Sequence, residues 1–445
     1  MKQPQALDIL KLGYNVFLTG PAGSGKTFVL KQYIRYLKEH GIGLGIAAST
    51  GLAATHMSGV TIHSWSGLGL NKTIDKKYLK KLKKRKYLRD RFNNTSVLVI
   101  DEISMLSGQV LDMIDEICRY MRKDPRPFGG MQVILCGDLF QLPPVNRDAK
   151  LITESKVWSD MNIKVCYLKE QYRQTDRKFS RVLSDIRRNE ITTFTIKALK
   201  NRIRRRLVNQ AKATKLFTHN IDVNALNENK LEKIRRKSHF YYMTSVGNSI
   251  FLDHLKKTCG TTEELELKHG AVVMFVKNNL DKGYVNGTLG KVIGFSEHDF
   301  PIVETVDDRQ IIARPESWRI EEDSKVLAEI NQVPLRLAWA ITVHKSQGMS
   351  LDLAEMDLRK TFVKGMGYVA LSRVRTMEGL RLLGINRLAL QVNPEVVKLD
   401  KNIQQQSDEV LDELYDLGLL EKKKLQKTFL KKYKPKTEMS LFSEI

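Results

Sequence analysis

The stretch NVFLTGPAGSGKTFVLKQYIRYLKEHG, residues 15–41, constrains the fold of this chain more than any other. It reads as an apolar strand from Asn15 to Thr19, a glycine-rich loop, and a helix ending near Gly41. The loop matches G-x-x-x-x-G-K-[ST] in the strand–loop–helix context that this motif requires. Gly20, Gly23 and Gly25, with Ser24 between them, let backbone N–H groups turn inward around phosphate oxygens, and the N-terminal end of the next helix adds its positive dipole. Lys26 then reaches the β and γ phosphates, and the Thr27 hydroxyl suits Mg²⁺.

A second element supports the same chemistry independently. SVLVIDEISML is a buried apolar strand, Val97 to Ile100, that ends in two acids. Asp101 and Glu102 therefore emerge at the carboxyl end of a strand, where ligands bind in open α/β sheets. Asp101 suits the Mg²⁺ shell, and Glu102 suits orientation or deprotonation of an attacking water. A third strand, MQVILCGD, runs into LFQLPPV and sets Gln141 just past its end, in reach of a γ-phosphate or a water, while Pro143 and Pro144 stiffen the turn.

A chain of 445 residues exceeds one ordinary core, so two or more lobes are expected. Its 74 Lys and Arg against 50 Asp and Glu give a formal charge of +24, a field suited to a polyanion such as nucleic acid, with an anionic membrane surface as the competing partner. No run approaches the roughly 18 apolar residues that span a bilayer, and MKQPQALDIL lacks the pattern of an export signal, which points to a cytoplasmic protein with no membrane partner. Cys118, Cys136, Cys166 and Cys259 form no C-x-x-C pair, which argues against zinc and a disulfide framework and for reduced, mostly buried thiols.

Seven strings together, GPAGSGKT, ASTGLAATHMSGVTIHSWSG, VIDEISML, CGDLFQLPPV, LKEQYRQTD, AWAITVHKSQGMSLD and GYVALSRVRTMEGL, resemble a superfamily-one helicase of the Pif family, with RecD-type helicases as near relatives. They occur in the family's order from about Gln3 to Arg387. The resemblance implies an α/β protein with two RecA-like P-loop lobes: a DNA-dependent ATPase, using ATP and Mg²⁺, that moves 5′ to 3′ on single-stranded DNA and unwinds duplex or structured DNA. It also implies that Arg173 in EQYRQ and Arg373 in ALSR reach the γ-phosphate, a role suited to a planar guanidinium. An ordinary ion pair with Glu170 is the competing role for Arg173. Gln3 resembles the family's adenine-reading glutamine, with Gln5 as the alternative.

The DNA track follows from two strand ends. After Leu44 to Ala48 come Ser49, Thr50 and Gly51 at a helix start, where hydroxyls and amides suit a nucleic-acid phosphate. The resemblance adds His63 and Ser64 in TIHSW, although a histidine there is by itself more often a core residue, and Trp65, a candidate stacking platform, is more often core as well. In the second lobe it assigns His344, Lys345 and Ser346 to the DNA phosphates and turns Gln347 and Gly348 toward the nucleotide.

These elements divide the chain into a first lobe, 1–70 and 97–170, a second lobe, 171–264 and 335–400, and two insertions. Short alternating strands in 265–334 resemble the SH3-like barrel that Pif-type helicases carry in the second lobe. KKYLKKLKKRKYLRDRF lies in 71–96, where eleven Lys or Arg face two Asp. The family's duplex-splitting subdomain occupies this position, and the lysine-rich sequence without an aromatic pin favours electrostatic contact over a stacking wedge. Residues 401–445 read as one or two helices starting at a Ser407 cap and packed on the second lobe, then a basic tail broken at Pro435 that could meet DNA or a protein partner. The absence of a long region before the motor favours a bacterial, archaeal or viral setting over organelle import. Rival readings are an ATP-switched DNA-binding or remodelling module that does not travel, a viral-type superfamily-one RNA helicase, and a kinase-like P-loop enzyme, which leaves Gln141, HKSQG and Arg373 without a role.

Overall fold

The computed structural model describes residues 1–433 except 56, 58, 70, 145–148, 175, 208–212, 280, 306 and 323–324, so the Pro435 tail lies outside the described residues. The first lobe is a six-stranded parallel sheet in the order Val60–Thr61, Leu44–Ala48, Val97–Asp101, Gln132–Cys136, Val16–Thr19, Lys164–Tyr167. Every residue of VFLT, VLVID and QVILC is buried, as expected of parallel strands covered by helices on both faces. Ala48 pairs with Asp101, and Leu18 with Cys136. This register brings four strand ends, and the loops after them, to one edge of the sheet.

The second lobe repeats the plan with four parallel strands, in the order Ala340–Thr342, Thr214–Phe217, Ala354–Leu358, Leu380–Ile385. Between its first two strands in sequence lies an all-antiparallel module. Its five-stranded sheet runs Gln310–Ile312, Pro301–Thr305, Leu289–Phe295, Val272–Phe275, Leu335–Leu337. The module begins at the Ser238–Tyr242 strand, well before the residue 265 at which alternation becomes visible. The reason is that Thr244–Gly247 is exposed at every position and shows no apolar face.

The basic insertion is two helices, Lys76–Lys84 and Lys86–Asn94, because Arg85 leaves helical geometry at φ −74°, ψ 109°. Asp75 caps the first, its carboxylate accepting from the Tyr78 amide. Leu79, Leu82, Leu88 and Phe92 are buried against the first lobe, where Trp65 meets Phe92 edge to face at 5.0 Å. Trp65 is therefore core.

The C-terminal extension corrects the sequence reading most. Ser407 does not cap a helix: it sits inside the Pro394–Asp416 helix, fully buried, with its hydroxyl accepting from the Tyr167 amide at 3.0 Å. Nor does the extension pack only on the second lobe. Val396 joins the second-lobe core, Ile403 and then Val410 and Leu414 join first-lobe clusters, and Phe429 of the Leu419–Tyr433 helix closes over the same lobe. The long helix covers the edge strand Lys164–Tyr167, shielding an otherwise unpaired sheet edge. Two ion pairs, Lys164–Glu413 at 2.6 Å and Lys169–Asp408 at 2.8 Å, flank it. Asn393, two residues before Glu395, is the actual cap. A polar residue spaced like a cap carries no information about whether the helix has already begun.

Candidate nucleotide and DNA site

A cleft of about 430 Å³ opens between the lobes, lined by Lys26, Thr27, Glu102, Gln141, Arg173, Gly348 and Arg373 among others. Residues placed far apart in sequence meet there because two sheets turn strand ends toward one another. Gly23 and Gly25 sit at φ 85° and 86°, in the left-handed region. A Cβ at Gly23 would lie 2.5 Å from the Arg173 Cβ, so only glycine admits that arginine over the loop. The Tyr172 amide, which donates to the Gly23 carbonyl at 2.9 Å, fixes the approach.

Lys26 donates to the Gly20 and Pro21 carbonyls at 2.8 and 3.1 Å. Ser24 is fully buried, and its hydroxyl has no hydrogen-bond partner. Gln3 lies beside this loop, its amide donating to the Ser24 carbonyl at 3.2 Å. Gln5 instead bonds Tyr415, so of the two glutamines Gln3 is the one at the loop. Thr27 is exposed, and Asp101 is buried behind the loop. Burial and the adjacent Glu102 carboxylate push the Asp101 carboxyl up to about 6.

Glu102 occupies a left-handed conformation, φ 52°, that turns its carboxylate toward the second lobe. There the Gln347 amide donates to it at 3.0 Å. From the other side, the Ser49 hydroxyl donates to the Glu102 carbonyl at 2.7 Å. Gln141 is buried with an unpartnered side-chain oxygen. Arg173 comes from the crossover between lobes and donates to the Ser372 carbonyl at 3.2 Å, not to Glu170. Arg373 is fully buried and donates to the Val369 carbonyl and the Ser372 hydroxyl, both at 2.9 Å. Burial, then the like charge of Arg173, lowers its pKa to about 10, and burial lowers that of Arg173.

The DNA-track residues fall into two groups. Thr50 accepts from the Ala53 amide at the start of a short helix, and Ser64 is exposed beside half-buried His63. Arg91 of the basic insertion donates to the Ser64 and Trp65 carbonyls at 2.9 and 2.8 Å, tying the insertion to this segment. Across the cleft, His344 and Lys345 are half-buried, whereas Ser346 is fully buried and its hydroxyl is spent on the Val343 carbonyl at 2.7 Å. Ser346 is thus not presented to a strand. Burial lowers the pKa of both His63 and His344.

Tyr172, Ser350 and Arg375 also line the cleft and were missed by the sequence reading. Arg375 was detectable in principle, as the second arginine of SRVR. Tyr172, exposed at 56%, stands next to Arg173 but carries no spacing signal.

With this geometry in view, the comparisons with known proteins are specific. Residues 5–210 match the family described as PIF1-like helicase, and residues 250–295 match the DNA helicase Pif1 2B domain. The ATP-dependent DNA helicase Pif1 of Psychrobacter sp. is 42% identical, covering 88% of this chain and 69% of that relative. Several other curated relatives are spanned over less than two thirds of their length. The crystal structure of Pif1 helicase from Candida albicans superimposes with a TM-score of 0.84 at 34% identity, covering 90% of this chain and 98% of that one. Pif1 from Bacteroides in complex with ADP-AlF3 and single-stranded DNA gives 0.74 at 29% identity, covering 91% and 96%. The shared motifs, the two-lobed sheet plan and the identity over nearly all of a solved helicase leave one conclusion: this chain belongs to the PIF1-like helicase family.

Proposed function

We propose that this chain is an ATP-driven DNA motor that travels 5′ to 3′ on a single strand and opens duplex or folded DNA ahead of it. The observation that carries the reading is the shared cleft, where Lys26, Glu102 and Gln141 of one lobe face Arg373 of the other and Gln347 bridges to Glu102. Half-buried Arg173 and fully buried Arg373 are like charges with lowered pKa values, an arrangement that a γ-phosphate would relieve. Their attraction to that phosphate holds the lobes shut, and its loss on hydrolysis lets them part.

Lys26 exchanges its two carbonyl partners for β and γ phosphate oxygens when ATP binds. Glu102, oriented by Gln347, takes the proton of the attacking water, and Gln141 aligns that water. Thr27 and Asp101 would hold Mg²⁺; a buried carboxylate without a cationic hydrogen-bond donor, held up to about 6, fits such an ion. When bound, the ion would neutralise charge on the β and γ oxygens.

Movement follows from attachment. Ser49, beside Thr50, bonds the Glu102 carbonyl, and Gln347, beside His344 and Lys345, bonds the Glu102 carboxylate. Each of these candidate DNA contacts therefore lies within three residues of a side chain hydrogen-bonded to Glu102, and closure of the lobes shifts one contact relative to the other. DNA is favoured over RNA because the Psychrobacter relative is a DNA helicase and the similar Bacteroides structure holds single-stranded DNA. A motor hydrolyses many ATP per strand engaged, whereas a switch hydrolyses about one. The ratio of DNA-stimulated kcat to strand dissociation rate measures this, and we expect it to exceed one by on the order of tenfold or more. A ratio near one would replace the motor with a switch.

The basic insertion acts on the duplex. Lys80, Lys81 and Lys84 are exposed, while Lys83 packs over the Tyr120 ring at 5.0 Å. Replacing the three exposed lysines with Ser should cut unwinding about tenfold and flatten the salt dependence of fork binding by about two, with single-strand-stimulated ATPase unchanged. Unwinding at the wild-type rate would remove the insertion from strand separation.

A further inference from the structure

A buried polar assembly outside the phosphate loop centres on Arg187, in the Arg177–Arg187 helix. Its Nη1 donates to Asp138 Oδ1 at 2.7 Å and to Tyr368 Oη at 3.2 Å. Its Nη2 donates to Tyr167 Oη and to Asp400 Oδ1, both at 3.2 Å, and its guanidinium lies 3.9 Å from the Phe140 ring centroid. Tyr368 Oη donates to Asp138 Oδ2 at 3.3 Å and accepts from the Ala22 amide of the phosphate loop at 3.2 Å. That hydroxyl is saturated, with one proton given and two accepted.

Each partner belongs to a different moving part. Asp138 and Phe140 lead into Gln141, Tyr167 ends the edge strand of the first lobe, Tyr368 stands five residues before Arg373, and Asp400 lies on the helix that straps the lobes together. Burial pushes the Asp138 carboxyl up, but Arg187, with Lys26 and the Phe140 amide, more than offsets this and holds it below the usual range, so the pair stays ionised. A buried ion pair is a costly way to gain stability alone. Its value lies in geometry, because a misplaced partner leaves a charge unpaired.

We propose that Tyr368 and Arg187 are positioning residues for hydrolysis, joining the phosphate loop and the Gln141 turn to the strap and to the helix that leads into Arg373, so that closure of the lobes on nucleotide binding sets these parts in one arrangement. The proposal rests on the ATPase reading above. Neither residue touches phosphate; Tyr368 holds the Ala22 amide of the loop against the Met366–Leu371 helix, which leads through Ser372 into Arg373.

The test is Tyr368→Phe, which deletes one hydroxyl and keeps the buried ring. DNA-stimulated kcat should fall about tenfold, as one misplaced hydrogen bond implies, with KM for ATP and single-strand affinity within about twofold of wild type. Arg187→Lys should not rescue, since an ammonium cannot span Asp138, Tyr167 and Asp400 at once. Fluorophores at exposed Gln32 and Glu378 should report closure of the lobes by a non-hydrolysable ATP analogue in the wild type, and reduced closure in Tyr368→Phe. A variant with lowered melting temperature but unchanged kcat and closure would make the assembly merely structural and overturn the proposal. A wild type without ATPase would overturn the functional reading instead, while the closure measurement, which needs only nucleotide binding, would still decide the role of Tyr368.

Discussion

Lys26→Ala should lower ATP hydrolysis by on the order of 100- to 1,000-fold and leave single-stranded DNA affinity unchanged. The ammonium lies in the phosphate loop, with both of its bonds to carbonyls of that loop. Its loss removes a positive charge where the γ-phosphate gains negative charge in the transition state. The candidate DNA contacts, Thr50, Ser64, His344 and Lys345, hang on other loops, so binding survives. Steady-state ATPase and fluorescence anisotropy with a labelled oligonucleotide separate the two effects. Loss of both in a folded variant would mean that phosphate and strand share one site, and the two-site account would fail.

Arg373→Met is expected to reduce kcat by about 1,000-fold with KM for ATP little changed, since in the mechanism we propose the guanidinium acts on charge that develops as the phosphate bond breaks. The substitution also makes a second, less intuitive prediction. Arg373 is fully buried beside another arginine, and its pKa is pushed down to about 10 by that burial and by Arg173. A side chain of similar volume without the charge should therefore leave the melting temperature of the nucleotide-free protein unchanged or raise it. Activity falling while stability holds is the signature of a charge kept for chemistry. Retained kcat would take Arg373 out of the reaction.

The phosphate loop, the Asp101–Glu102 strand end and the Gln141 turn were legible because each couples an apolar strand to polar residues at a fixed offset, a pattern set by backbone geometry. Arg173 and Arg373 needed the family resemblance, since nothing local distinguishes an arginine that crosses to phosphate from one on the surface. Ser407 misled because a hydroxyl spaced like a cap can equally serve a neighbouring strand, here the Tyr167 amide. The break at Arg85 has no sequence signal, since neither Gly nor Pro stands between Lys76 and Asn94. The assembly around Arg187 could not be read at all: its five partners, Asp138, Phe140, Tyr167, Tyr368 and Asp400, are joined only by tertiary packing. Ser346 shows the limit of transferring a role by motif, because its hydroxyl is turned inward.

In the motor we propose, the two strand contacts move relative to each other as ATP is hydrolysed, in one direction. Strand displacement from duplexes carrying a 5′ tail, a 3′ tail or blunt ends, with ATP and Mg²⁺, tests it most directly. The 5′-tailed substrate should be opened and the other two should not. Opening of the 3′-tailed duplex in preference, or ATP hydrolysis stimulated by single strands with no displacement from any substrate, would contradict it.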